Sequence, residues 1–222
     1  MIAAAAGRRP EAPDRKSADV KSIMAADTAG YVLVGGRSSR FGSNKAFFSW
    51  QGRPLALRVA EQVRQAAGSV VLIGDPETYR PLGLPVIPDP VSGAGPLAGL
   101  AAALGHSSAA WNLVVACDMP HLRADFLEFL LSLAFRRAGD CDALVPVDQA
   151  GRPEPLCAVY AKRCQPAIQE ALLGGVRKIT GAFRNLRVYE TPYADWAAYD
   201  AGGLLFANVN TRADLDAAHA AP

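Results

Sequence analysis

This 222-residue sequence predicts a single α/β domain built on a doubly wound, mostly parallel sheet with helices on both faces, and three observations predict it. From Tyr31 onward, short apolar runs alternate with longer helical patterns, as in strands joined by crossover helices. Hydrophobic residues make up 50% of the chain, enough for one substantial core at this length. Several of the apolar runs end in loops of glycine, proline or aspartate, placed where sheets of this kind receive their ligands.

The elements follow in order. YVLVG, from Tyr31, reads as the first strand, PLALRVAEQVRQAAG as a helix closed by Gly68, SVVLIG as the second strand and LPVIPD as the third. GPLAGLAAALGHS reads as helical despite its glycines, WNLVVACD as a fourth strand, and RADFLEFLLSLAFRRAG as an amphipathic helix ending at Gly139. CDALVPVDQAGRPEPLCAVY reads as two strands joined by a turn at Ala150-Gly151. RCQPAIQEALLGG and RKITGAFRNL then read as helices and RVYETPY and LLFANV as strands. TRADLDAAHAA closes the chain as a helix with Thr211 as N-cap and Asp214 three residues on.

Residues 1–27 are rich in alanine, proline and charge and lack a periodic apolar pattern, so they read as a disordered tail ahead of a domain spanning 28–222. Met24 is an alternative start within that tail. Its apolar part is shorter than the roughly 7 residues of a signal peptide's core, and no run approaches the roughly 20 needed to span a bilayer. The net charge of +2 argues against a nucleic-acid or membrane-surface binder. Cys117, Cys141, Cys157 and Cys164 form no C-x-x-C pair and have no histidines at zinc-ligand spacing, which points to a reduced, cytoplasmic protein.

Chemistry is concentrated behind three strands. YVLVGGRSSRFGSNKAFFSW carries Gly35 and Gly36, which allow close backbone approach, then Arg37, Arg40 and Lys45 with no acidic residue among them. The loop is neither G-x-G-x-x-G nor a Walker A motif. VIPDPVSGAGPLAGL places Asp89, and VVACDMP places Asp118, at further strand ends. Either aspartate alone is a turn former or a cap. Beside a basic glycine loop, the two together suit Mg²⁺ on a nucleoside triphosphate, because Mg²⁺ takes one or two carboxylates and fills its remaining positions with phosphate oxygens and water.

LVGGRSSRFGSNK, PDPVSGAGPLAGL, CDMP, EPLCAVY, GVRK and FANVNTRADL occur in the order found in molybdenum cofactor guanylyltransferases, which the chain resembles over residues 30–217. The resemblance implies a Rossmann-like nucleotidyltransferase fold and transfer of GMP from GTP to the terminal phosphate of molybdopterin, with release of pyrophosphate. It implies a nucleotide-binding half at about 28–123 and a pterin-binding half at about 124–222. Arg40 and Lys45 would be catalytic and hold the triphosphate, and Leu33, Val34, Gly35 and Gly36 would contact the nucleotide through backbone. Asp89 would be a nucleotide contact and Asp118 the Mg²⁺ ligand. Arg177 and Lys178 would meet the pterin phosphate. Asn208 and Asn210, on one face of a strand by alternation, would meet the heterocycle. Cofactor-delivery chaperones and molybdoenzymes are the partners it implies.

The sequence departs from the family pattern at Val34, usually Ala; at Gly74 and Asp75, where Asn is frequent; and at Glu154, usually Gln or His. CMP transfer to molybdopterin, transfer to a sugar phosphate, and a non-catalytic nucleotide-binding or delivery role share the same motifs and stay open at this stage.

Overall fold

The computed structural model describes residues 27–35, 44–89, 93–209 and Asp214. Strand β1 (Thr28–Leu33) leads through a 3-10 turn at Lys45–Phe47 into a small hairpin of β2 (Ser49–Trp50) and β3 (Arg53–Pro54). Helix α1 (Leu55–Ala67) follows, stopped by Gly68 at φ 75°, where the left-handed backbone favours glycine. Strand β4 (Val71–Ile73), the short helix α2 (Pro76–Tyr79), β5 (Val86–Ile87), α3 (Pro96–His106) and β6 (Trp111–Ala116) complete the first half. Next come α4 (Ala124–Arg136), β7 (Ala143–Pro146), β8 (Cys157–Ala161), α5 (Gln165–Leu173), β9 (Val188–Thr191) and α6 (Tyr193–Trp196).

Seven strands form one sheet in the order β5-β4-β1-β6-β8-β7-β9. All neighbours pair in parallel except β8, which runs antiparallel to both β6 and β7. Helices α1 and α4 pack together on β1 and β6, and α3 packs with α5 and contacts β1, β4 and β6, so the sheet is covered on both faces. That cover explains why β6 is buried at all six positions instead of alternating. One contiguous apolar cluster runs through the domain, and a small one of Trp50, Leu55 and Val209 pins the hairpin to the C-terminal segment. Among the described residues no helix is long and apolar enough to cross a membrane, and all four cysteines are buried and free.

The structure departs from the sequence reading in the last third. LLFANV is no strand: Ala207 N–H donates to the Leu204 carbonyl, Leu205 N–H donates to Asp200 Oδ1, and Val209 N–H reaches the Asp118 carbonyl. These amides find partners locally or on the Asp118 loop, so the segment joins no ladder, and alternation does not set where Asn208 points. RKITGAFRNL forms a 3-10 run at Ile179–Asn185 instead of an α-helix, and the helix expected to end at Gly139 ends at Arg136. Residues 1–26 of the expected tail, Met24 among them, and Gly36, Arg40, Asn210 and Thr211 lie outside the described residues, while Asp27 is described and its carbonyl accepts Trp111 N–H; of the closing helix only Asp214 is described, as helical.

Candidate active site

The carboxyl ends of β1, β4 and β6, with the loop after β5, surround a cavity of about 570 Å³. Its location follows from the strand order. Successive crossovers leave β1 in opposite directions, and the resulting crevice opens at the strands' carboxyl edge. Leu33, Gly35, Lys45, Asp89 and Asp118 all line it, so the fold brings together these five residues marked by the sequence.

Lys45 and Asp118 lie 73 positions apart in sequence and make an ion pair, Lys45 Nζ to Asp118 Oδ2 at 2.5 Å. Burial works against the Lys45 ammonium, but the adjacent Asp118 carboxylate outweighs it, and the Lys45 pKa stands above the ordinary lysine value. Lys45 therefore stays charged across physiological pH. The other carboxylate oxygen, Asp118 Oδ1, is buried with no hydrogen-bond partner. Buried polar atoms seldom go unpaired. A hard cation fits this oxygen: Asp89 lines the same cavity, and among the described residues no cluster of three or more His, Cys, Asp or Glu could hold a metal by itself. A centre of one or two carboxylates completed by substrate oxygens is what Mg²⁺ uses. Cys117, next in the chain, is completely buried and its thiol is pushed up to about 12 by that burial, so it offers no thiolate nucleophile.

The N-terminus of α3 forms another wall, contributing Gly95, Pro96 and Gly99, and its positive dipole end favours an anion there. Gly99 lets α3 pack closely on β1: a Cβ there would lie 2.9 Å from Leu33 Cδ2 and would push that side chain aside. Arg177 supports this corner through its backbone, its carbonyl accepting Leu97 N–H at 3.1 Å. The Arg177 guanidinium donates to the carbonyls of Leu172 and Val176. Arg177 and Lys178 are both exposed, and Arg177 borders this cavity through Gly95, not the one that Asn208 lines.

Two backbone contacts expected from the glycine loop are already taken. Val34 N–H and Gly35 N–H both donate to the Ile73 carbonyl, at 3.0 and 3.1 Å. The Val34 carbonyl accepts the Tyr79 hydroxyl at 2.6 Å, and the Val34 side chain is buried. Tyr79 is the residue that sequence reasoning missed. Its hydroxyl also accepts from Asn44 Nδ2 at 2.9 Å, and its ring stacks on Phe47. The signal was Gly74, five residues earlier: a Cβ there would lie 2.5 Å from Tyr79 Cε2, so the ring occupies the space an Asn side chain would need.

A second cavity, of about 630 Å³, adjoins the first. Glu154 and Asn208 line it, while Leu156 lines the first cavity, so the two ends of segment 154–156 reach different cavities. Ala116 N–H, at the end of β6, donates to the Leu156 carbonyl, and Val209 N–H, next to Asn208, donates to the Asp118 carbonyl. Burial raises the Glu154 carboxyl above its usual range, although Leu156 N–H donates to its Oε1. A raised folded-state pKa contributes stability that is fully present below the ordinary glutamate value and is lost as pH rises through the folded value. Glu154→Gln, which keeps the acceptor and removes the charge, is therefore expected to be more stable than the parent at pH 8 by on the order of 1 kcal/mol. The gap should close toward pH 4, as read by denaturant unfolding. A gap that does not depend on pH would show that Glu154 is not desolvated.

The family described as the MobA-like NTP transferase domain matches residues 30–188. A probable molybdenum cofactor guanylyltransferase of Pelotomaculum thermopropionicum is 34% identical over 187 residues, covering 84% of this chain and 89% of the relative. One of Deinococcus radiodurans is 36% identical over 184 residues, covering 83% and 90%. The crystal structure of molybdopterin-guanine dinucleotide biosynthesis protein A from Archaeoglobus fulgidus superposes with a TM-score of 0.74 at 33% identity, covering 86% of this chain and 96% of that one.

Proposed function

This chain belongs to the MobA-like NTP transferase family and is a nucleotidyltransferase, and from that premise we propose that it transfers GMP from GTP to the terminal phosphate of molybdopterin. The observation that carries the reading furthest is the unpartnered Oδ1 of Asp118, a residue that pairs with Lys45 through its other oxygen and lines the same cavity as the N-terminus of α3. A phosphate oxygen of the acceptor bonds to the α-phosphorus of GTP, the bond from that phosphorus to the bridging oxygen breaks, and pyrophosphate leaves with the electron pair. An ionised phosphate is its own nucleophile, so no protein base is needed. The protein's task is to hold two polyanions in line and to stabilise the charge that builds on the leaving group.

Lys45 supplies a point charge to the phosphates, and Arg40, five residues before it in the sequence, supplies a fork of donors. Leu33 and Gly35 form the floor that lets the nucleotide approach closely, and the α3 N-terminus adds a fixed positive potential. Asp118, with Asp89 in the same cavity, would hold Mg²⁺. When bound, the ion neutralises phosphate charge and polarises the α-phosphoryl group. We assign the acceptor's heterocycle to the second cavity, which Asn208 lines, with Asn210 two residues on in the sequence, and its phosphate to Arg177, which borders the first cavity through Gly95, and to its sequence neighbour Lys178.

The direct test is product identity. Protein incubated with molybdopterin, GTP and Mg²⁺ is expected to yield a pterin heavier by one GMP, read by mass spectrometry. Hydrolysis of GTP with the pterin unchanged would overturn the transfer.

A further inference from the structure

Lys45 reaches Asp118 from the 3-10 turn Lys45–Phe47, and a chain of hydrogen bonds ties that turn to the sheet. Asn44 is the N-cap: its Oδ1 accepts Ala46 N–H at 3.1 Å, and its carbonyl accepts Phe47 N–H at 3.0 Å. The other end of the same amide, Asn44 Nδ2, donates to the Tyr79 hydroxyl at 2.9 Å, and that hydroxyl donates to the Val34 carbonyl at 2.6 Å. Tyr79 lies 35 positions from Asn44 and 45 from Val34. One phenol oxygen therefore joins the cap of the Lys45 turn to the residue that follows β1.

Each donor in this chain is matched in only one way. A backbone N–H can only donate, so the cap uses Oδ1 and leaves Nδ2 for Tyr79. Burial raises the Tyr79 pKa above the ordinary tyrosine value, so the hydroxyl keeps its proton and gives it to the Val34 carbonyl, which can only accept. The anchor is fixed at its far end. Val34 N–H donates to the Ile73 carbonyl of β4, and the buried Tyr79 ring stacks on Phe47 with the planes 8° apart and fills the space beside Gly74. A cap alone would shape the turn without setting where it stands on the sheet. The Lys45 side chain is long and flexible, so the place of its ammonium depends on where its backbone is held.

We propose that Tyr79 and Asn44 are positioning residues for the transfer, holding the Lys45 turn against the end of β1 so that the ammonium meets the phosphates. The proposal rests on the reading of Lys45 as the cation that holds the triphosphate. Both residues act through Lys45, and neither needs to touch the substrate.

Initial rates of pyrophosphate release with molybdopterin and Mg²⁺, from whichever of GTP and CTP the parent uses, test this in two backgrounds below the unfolding transition of every variant. Asn44→Ser keeps a capping oxygen and loses the donor to Tyr79. Tyr79→Phe keeps the ring and loses the hydroxyl. In the parent background each is expected to lower kcat/KM by about tenfold to a hundredfold, the scale for a catalytic group misplaced by roughly 1 Å. In Lys45→Ala the same substitutions should lower it by less than about threefold further, because residues that act through one group are not additive. Undiminished losses in the Lys45→Ala background would show that the pair acts on the fold or on the substrate directly, and parental kcat/KM in either single variant would show that the link is not used. Either result overturns the proposal. Parental kcat/KM in Lys45→Ala would overturn the phosphate reading of Lys45, and a parent that releases pyrophosphate from neither triphosphate would overturn the transfer itself, each taking this inference with it.

Discussion

Asp118→Asn is expected to fold and to lose at least about a hundredfold in turnover, the scale set by loss of one preorganised electrostatic group. The substitution keeps the size and one carbonyl oxygen of the side chain, so the backbone bond from Val209 N–H to the residue 118 carbonyl is untouched. It removes the formal charge that meets Lys45 on one side and leaves the unpartnered oxygen on the other. Weakening the hydrogen bond to the half-buried Lys45 should cost about 1–2 kcal/mol, a fall in Tm of roughly 2–8 °C for a domain of this size. The two readouts separate the roles. If Asp118 served only as a structural partner of Lys45, stability would fall and activity measured below the transition would survive. If Asp118 holds Mg²⁺, activity falls much further than stability, and higher Mg²⁺ recovers part of it.

Lys45→Ala should lower GTP affinity and turnover together, with kcat/KM down by about 10²–10³-fold. An ammonium facing phosphates acts on the bound substrate and again as charge builds on pyrophosphate, so neither KM nor kcat should move alone. Lys45→Arg keeps the charge and should recover part of the binding, with less of the rate, because a planar fork does not reproduce a compact point charge. The raised Lys45 pKa carries a sign: the ion pair contributes fully below the ordinary lysine value and is lost only as pH rises above it. Any pH dependence of the parent enzyme near neutrality must therefore come from groups other than Lys45. GTP binding and kcat/KM at parental values in Lys45→Ala would remove Lys45 from the phosphate site.

The convergence of Lys45 and Asp118 on one cavity was legible because strong local signals flank both residues. β6 is buried at all six positions and β1 at five of six, so the ends of the strands that precede Lys45 and Asp118 follow from the apolar pattern. Gly68 and the Ala150-Gly151 turn were legible because positive φ leaves few choices of residue: Gly68 lies at φ 75° and Gly151 at 76°. What escaped depends on contacts between distant segments. Helix α2 has four residues, too few for a periodic signal, yet it carries Tyr79 across to the Val34 carbonyl. LLFANV has the composition of a strand but satisfies its amides in turns and on the Asp118 loop, so propensity lost to tertiary context. Arg177 and Lys178 read as one charged pair, but the fold uses the Arg177 carbonyl to support α3. The Gly74 departure looked like a missing contact, and the neighbouring Tyr79 ring accounts for it.

Initial rates of pyrophosphate release decide whether the protein carries out the proposed guanylyl transfer to a pterin phosphate. GTP, CTP, ATP and UTP are each supplied with Mg²⁺, in the presence and absence of molybdopterin. Rapid release with GTP that requires molybdopterin, and release at least about tenfold slower with each of the other three, is the predicted result. Release that favours CTP, or that proceeds equally without the pterin, would contradict it.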